Sequence, residues 1–589
     1  MKIKVYLNDW FYNMGIVGFM RILKDSENLR KITVKENYIE FDSGILKDFG
    51  KYYFDYFMKR YDVPKDRLKR YQVQKAYIKK KSDYRDGIKY LKKTVMDVAN
   101  KFKKDESGKD LKLISNEISK VKSEDKFEIL DEQYKKFEEV LSREEISEKL
   151  KLNKVRSILS DQYFGQASFL QKTAASKRLN EQREIAEKDY IIPVYEMGKL
   201  MDFYKADNLD EAKKCIEEYL NLDKGFKDKN LEKFYRGVSK KITKTGNIDS
   251  IKEGLDSSKL YDCSLCNKFK SLGDDFEEKI FVPLGISNSN AKNLYWDFNN
   301  KFPICNVCKL ILFCTPAGAT DLFKSYMDGD YKDKTYFGFV NMDTDIHKLY
   351  KQNENFYNRK DEDSPYKEII LSMVQELGIE SKWELENILF VEFDVNGKNC
   401  KLNYFNIPEF IAKFFTYKGK ELNSIKDEKF KSEIVDLILK NVDIKFSIDR
   451  KLRIDIKSGY SAFDCYIACK SRYYLNKYRK GENEMNSKTL FFIYKNGKDI
   501  NKYFTEHNSE NKIVGIAYRM LNSVRTGNKN EFMDAVLRTY MTAQKEVPVI
   551  FSKIFSKENS EFESVAQTFV SGLISKETFK KSEEANKNE

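Results

Sequence analysis

Two Cys-x-x-Cys pairs, Cys263-Ser-Leu-Cys266 and Cys305-Asn-Val-Cys308, constrain this chain more than any other feature. A C-x₂-C turn presents two thiolates on one side of a tight knuckle, and two knuckles complete a tetrahedron around Zn²⁺. The 38 residues between the pairs are then an inserted subdomain stitched at its base by the metal. Four thiolates close the coordination shell, whereas a catalytic zinc keeps a position open for water. The expectation is one structural zinc per chain, held by Cys263, Cys266, Cys305 and Cys308. A redox role for either pair fits less well, because two pairs in one short region suit a shared metal.

The other five cysteines (Cys215, Cys314, Cys400, Cys465, Cys469) are scattered and bring the count to nine, an odd number that suits a reducing compartment. No apolar stretch approaches the roughly 18 residues of a membrane span. Met1 to Trp10 alternates apolar and polar residues and lacks a signal-peptide core. These features predict a cytoplasmic protein with no membrane partner.

Only two histidines, His347 and His507, are present, and neither lies in a metal-ligand or catalytic pattern. Phosphate-loop, dinucleotide and nucleophile-elbow motifs are absent from the sequence. Asp328/Asp330 and Asp343/Asp345 could hold Mg²⁺ in a nuclease, but among 93 acidic residues such pairs read as solvated loops. The expectation is therefore a protein that is not an enzyme, the alternatives being a metal-dependent nuclease or another zinc-containing nucleic-acid-binding protein.

The 589 residues allow three or four domains. Ile3, Val5 and Leu7 share one face of an opening strand, and Asn8 or Asp9 can cap a helix over Phe11–Leu23 that carries Gly15 and Gly18 on its closely packed side. Ile32–Val34 and Tyr38–Phe41 read as a short hairpin. Leu389–Asp394 and Cys400–Tyr404 flank Asn396-Gly397, a strong hairpin turn. Ile513–Val524, Phe532–Met541 and Phe562–Leu573 show helical apolar spacing. The fold class is α+β and helix-rich: an N-terminal mixed domain (1–360) with a basic helical stretch (65–104) and the zinc-knuckle subdomain (263–308), a middle region with a β-hairpin (361–460), and a C-terminal helical bundle (461–589).

Lys and Arg exceed Asp and Glu by 14 over the chain, and Lys65–Lys104 alone holds 15 basic against four acidic residues. Tyr71, Tyr77, Tyr84 and Tyr90 recur there every six or seven residues, as on one helical face or its edge. Basic residues interleaved with aromatics suit a phosphate backbone with base stacking, which singles out Lys79, Lys80 and Lys81. In Tyr163-Phe-Gly-Gln-Ala-Ser-Phe-Leu170, Gly165 permits a sharp turn with Gln166 and Ser168 at its tip and Phe164 and Phe169 as anchors; Lys172 follows. Between the knuckles, Pro283 to Trp296 contains a capped helix start carrying Asn290, Lys292 and Asn293.

These blocks occur in a familiar order: Asp9-Trp-Phe-Tyr-Asn-Met-Gly-Ile-Val-Gly18, Gly165-Gln-Ala-Ser-Phe-Leu170, Pro283-Leu-Gly-Ile-Ser287 with Asn290-Ala-Lys-Asn293, the two CxxC pairs, and Gly515-Ile-Ala-Tyr-Arg519 with Gly527-Asn-Lys-Asn-Glu-Phe-Met533. Together they resemble the large subunit of the type I-B CRISPR-Cas surveillance complex, Cascade, with Met14 where a small residue is expected. The resemblance implies a partner set of CRISPR guide RNA, target double-stranded DNA, the other Cascade subunits and a separate helicase-nuclease. It implies a role in antiviral defence: recognising the protospacer-adjacent motif (PAM) in duplex DNA while the guide reads sequence by pairing, aiding R-loop formation, holding the displaced strand and recruiting the nuclease. On that basis Gln166, Ser168 and Lys172 are candidates for the motif-reading loop, with Asn290, Lys292 and Asn293 as a second contact. Arg519, Arg525, Lys529 and Arg538 are candidates for backbone contact by the bundle.

Overall fold

The computed structural model describes residues 1–80, 84–103, 105–122, 126–164, 167–174, 176–245, 249, 253, 260–272, 303–324, 334–342, 345–359, 388–396, 399–458, 462–481, 488–551 and 559–575. Ile3 and Val5 are buried on β1 (Lys2–Tyr6) while its lysines face outward. β1 pairs antiparallel with β3 (Tyr38–Asp42), which also takes β2 (Thr33–Val34), giving the order β1-β3-β2 and the hairpin that the sequence predicts. Asp9 caps the helix Trp10–Asp25, its Oδ1 accepting the N–H groups of Phe11 (2.8 Å) and Tyr12 (3.0 Å).

Every residue from Phe11 to Leu23 on that helix is buried. A helix apolar on all sides must lie inside a core rather than on one, and this one runs against the helix Asn306–Phe313 and the short helix Thr315–Gly318. The approach is backbone to backbone. A Cβ on Gly15 would stand 2.4 Å from the Ile311 carbonyl oxygen, and one on Gly18 would stand 1.9 Å from that of Cys314. Arg21 and Arg60 then donate to the carbonyls of Pro316, Ala317, Gly318 and Ala319 at the far end of the seam.

A four-stranded antiparallel sheet, in the order β6 (Thr320–Lys324), β7 (Lys334–Met342), β8 (Ile388–Asn396), β9 (Asn399–Ile407), divides the two largest cores. Phe337, Phe339, Val391 and Phe393 face the core of the N-terminal helix. Val340, Met342, Ile388, Phe390, Phe405 and Ile407 face the core of the C-terminal helices. The alternation is the period-two pattern of a strand buried on both sides. Asn396 pairs with Asn399. The strands on either side thus pair as the sequence predicts, and Gly397 of the expected Asn-Gly turn lies outside the described residues.

Among the described residues, eight α-helices between Glu409 and Leu573 build the C-terminal body. The three that precede residue 461 (Glu409–Tyr417, Glu428–Leu439, Lys445–Ser458) share one continuous core with those that follow it. A separate core, from Tyr71 to Leu150, holds the basic stretch together with the amphipathic helices Glu106–Ile118, Glu128–Ser142 and Glu144–Ile158. A fourth, between Leu200 and Val238, is made by the helices Ile192–Lys205, Leu209–Asn221 and Lys229–Thr245. No described helix is long and apolar enough to cross a membrane.

The seam sets the first prediction. Gly18→Ala forces backbone against backbone and should cost about 1–3 kcal/mol of stability. Gly515→Ala, on the helix Glu510–Thr526 with open space at its Cβ, should stabilise by about 0.5–1 kcal/mol. Thermal denaturation of the two variants checks the pair, and equal shifts would contradict the seam.

Candidate metal centre and nucleic-acid interface

The first knuckle is a tight turn. Cys263 N–H donates to the Phe269 carbonyl (3.1 Å), Asn267 N–H donates back to that of Cys263 (2.9 Å), and Asn267 takes the left-handed conformation (φ 51°) that Asn tolerates. The second knuckle opens a helix. Cys305 is the N-cap of Asn306–Phe313 and Cys308 lies in its first turn, so two sulfurs come to the positive end of a helix dipole. Ser264 N–H to the Pro303 carbonyl (2.9 Å) joins the knuckles.

The four sulfurs lie within 4.8 Å of one another, with Cys266 and Cys305 at 3.9 Å. A tetrahedron with metal–sulfur bonds near 2.3 Å has edges of about 3.8 Å, so the cluster fits a thiolate-bound divalent ion. Cys263, Cys305 and Cys308 are buried and Cys266 is half-buried. Backbone N–H groups point at sulfur: Cys305 to Cys263 (3.3 Å) and Cys308 to Cys305 (3.4 Å).

Proton affinities divide across the cluster. Hydrogen bonds from Cys266, Cys305 and Cys308 hold the Cys263 thiol far below its ordinary value. At Cys266 the upward pull of Cys263 is outweighed by Cys305 and Cys308, leaving it at about 7. Burial raises Cys305, and hydrogen bonding to Cys263 raises Cys308. Without a cation, four clustered thiols share protons instead of ionising together, and a bound divalent ion takes over that role.

Three further segments meet the centre. Asn8 Nδ2 donates to the Leu265 carbonyl (3.0 Å), the Lys268 ammonium lies 3.5 Å from the Tyr6 ring centroid, and the Tyr12 hydroxyl donates to Cys308 Sγ (3.2 Å). Burial, reinforced by Cys308, keeps the Tyr12 proton in place. On the other side Phe313, at the end of the Cys308 helix, packs on Phe164 (4.9 Å), Tyr190 (4.1 Å) and Phe169 (6.3 Å). The loop expected to read DNA thus hangs on the helix that leaves the cysteine cluster. Arg156 holds the same loop through the carbonyls of Phe169, Leu170, Gln171 and Ala174.

Phe164 and Phe169 anchor the loop as the sequence predicts, but Ser168 does not stand at its tip. Its N–H donates to the Tyr190 hydroxyl (3.0 Å), and its Oγ is buried without a partner among the described residues, because buried Ala167 and Phe169 draw the turn inward. Lys172 lies in the short turn Lys172–Ala174. Gln166, Lys81, Asn290, Lys292 and Asn293 lie outside the described residues, as do Asp328, Asp330 and Asp343. Asp345 caps the helix Ile346–Asn358 by accepting from Lys348 N–H (2.7 Å).

The basic stretch is two helices, Val63–Lys80 and Arg85–Ala99, and its tyrosines divide. Tyr71 is buried with its hydroxyl on the Leu130 carbonyl, and Tyr84 reaches the Lys122 carbonyl, whereas Tyr77 and Tyr90 are exposed. The expectation of one shared face fails because Tyr71 and Tyr84 are drawn to partners within the body while Tyr77 and Tyr90 face outward. Lys79 is shared with Lys75 on Asp131, while Lys80, Lys89, Lys92 and Lys93 face solvent.

On the bundle, Arg519 and Arg538 share Asp534, and the Lys529 ammonium lies 6.0 Å from the Phe562 ring. Arg525 lines a groove of about 860 Å³ with Phe446, Asp449, Arg450, Arg453, Ile454 and Tyr518, in which Asp449 pairs with Arg453 (2.9 Å) and Glu433 pairs with Arg450. Arg450, Arg453 and Phe446 escaped the sequence reading. The outward spacing of Phe446, Arg450 and Ile454, four residues apart on a helix otherwise apolar inward, was the available signal.

Where a buried four-cysteine knot defines the class of protein, comparison with known proteins narrows it. Residues 256–320 match the family described as CRISPR-associated protein (Cas_CXXC_CXXC), so over this segment, which spans both knuckles, the chain is similar to CRISPR-associated proteins. No curated protein and no solved structure matches the chain.

Elemental analysis should find close to one bound metal ion per chain. Cys263→Ser, Cys266→Ser, Cys305→Ser and Cys308→Ser should each lose it, while Cys215→Ser, in a separate core, should keep it. Retention of metal by any of the four would break the assignment.

Proposed function

We propose that this chain is the large subunit of a type I-B Cascade surveillance complex, a non-catalytic protein that binds one structural zinc, recognises the protospacer-adjacent motif in duplex DNA beside the guide-paired target, and recruits a separate helicase-nuclease. The observation that carries the reading is the CXXC–CXXC segment, similar to CRISPR-associated proteins and folded as a four-sulfur cluster that joins the N-terminal core. Four sulfur donors favour zinc over harder cations and leave no coordination position for water. The two histidines support a non-catalytic role: both are exposed, His347 on the helix Ile346–Asn358 and His507 in the turn that follows Lys488–Glu506, where it stacks on Tyr503 at 4.1 Å.

Nucleic acid has two candidate surfaces in this reading. Lysines with Tyr77 and Tyr90 on the basic helices offer phosphate contact and stacking, and the Arg450–Arg453–Arg525 groove with Phe446 and Tyr518 offers the same chemistry on the bundle. The loop at 164–174 and the segment bearing Asn290, Lys292 and Asn293 carry the motif-reading role by resemblance.

The test uses the chain assembled with guide RNA and the other subunits, on duplexes with randomised flanks beside the target. Gln166→Ala and Asn293→Ala should weaken binding to the enriched flanks more than to depleted ones; equal losses would remove them from motif reading. Lys80→Gln should lower the salt slope of log K by about 0.7–0.9 for each phosphate the side chain no longer neutralises, and Lys79→Gln by less because Asp131 already holds that lysine. The nuclease alternative predicts that the purified chain with Mg²⁺ cuts DNA or RNA, and that replacing Asp343 and Asp345 abolishes cutting.

A further inference from the structure

We infer that Tyr12 is a positioning residue of the metal centre, its hydroxyl proton supporting the Cys308 thiolate and thereby retaining the ion. The inference rests on the four cysteines binding a metal. Four thiolates on a divalent ion leave a net charge of −2 in a site where three of the sulfurs are buried. Each sulfur then needs a donor or solvent to spread that charge. Cys263 and Cys305 receive backbone N–H groups, and half-buried Cys266 reaches solvent. Cys308, almost fully buried, receives the Tyr12 hydroxyl at 3.2 Å, the one side-chain hydroxyl donated to these sulfurs among the described residues.

Nothing about Tyr12 is accidental in its placement. Its N–H is fixed by the Asp9 cap (3.0 Å), its ring is 4% exposed, and the contact of Gly15 with the Ile311 backbone sets the distance from its helix to the one bearing Cys308. A larger residue at 15 would lift the hydroxyl off the sulfur.

The full-length chain, loaded with Zn²⁺ or Co²⁺, gives the test. Tyr12→Phe removes only the hydroxyl. It should release Zn²⁺ to a chromogenic chelator about tenfold faster. It should also move the thiolate-to-Co²⁺ charge-transfer band to longer wavelength, because a sulfur relieved of its hydrogen bond gives up charge more easily. Site-specific 3-fluorotyrosine at position 12, a stronger donor of nearly the same shape, should move the band the opposite way and serves if Tyr12→Phe does not fold. Unchanged spectra and release in these variants would overturn the role of Tyr12. Wild-type chain that takes up neither ion would overturn the metal centre and this inference with it, a result read before any variant is made.

Discussion

Contact between the backbone of the helix Trp10–Asp25 and the chain from Ile311 to Gly318 governs the N-terminal half. Helices of ordinary side chains pack about 8–10 Å apart. Gly15, Gly18 and Gly318 remove the side chains that would enforce that distance, since a Cβ on any of them would stand 2.4 Å or less from a carbonyl oxygen. At this range the Tyr12 hydroxyl reaches a cysteine sulfur, and Arg21, buried, reaches three consecutive carbonyls from Ala317 to Ala319. The four-cysteine cluster and the helix seam are therefore one structure. The knot fixes where the Asn306–Phe313 helix begins, and the glycines fix how near it lies to the N-terminus of the chain.

Position along this seam transmits to the surface through aromatic rings rather than through a hydrogen-bond chain. Phe313 ends the helix begun by Cys305, and Phe164, Phe169 and Tyr190 close around it. Tyr163 continues the contact to Phe337 and Phe393 on the dividing sheet (5.2 and 5.8 Å). Close-packed interiors pass on displacement because they have little free volume to absorb it. Phe164 and Phe169, which flank the loop, are thereby held in one packed cluster with the end of the Cys305 helix.

Much of this was legible from sequence, and the failures share a cause. The Asp9 cap, the glycine face at 15 and 18, the opening strand and the paired knuckles all depend on residues within a few positions of one another, where propensity and spacing act directly. The inward turn of Ser168 depends instead on Tyr190, and the division of the tyrosines at 71, 77, 84 and 90 depends on Leu130 and Lys122. Tyr12 was unreadable as a partner of Cys308 because 296 residues separate them. At the β8–β9 pair, the apolar runs around Asn396-Gly397 identified two strands that do pair antiparallel.

Net positive charge also means something different once its location is known. Several arginines are committed to the interior: Arg21 and Arg60 to the turn after the second knuckle, Arg156 to four loop carbonyls, and Arg472 to Asp443, Glu563 and Ser564. A planar guanidinium with five donors can satisfy converging carbonyls that a lysine cannot, which explains why arginine takes these internal posts. Lysine is left to dominate the exposed faces of the basic helices, where its point charge is hydrated and mobile. Such a surface neutralises phosphates without reading bases. The charge excess of the sequence is thus two populations, guanidinium groups that tie the interior together and ammonium groups that line the surface of the basic helices.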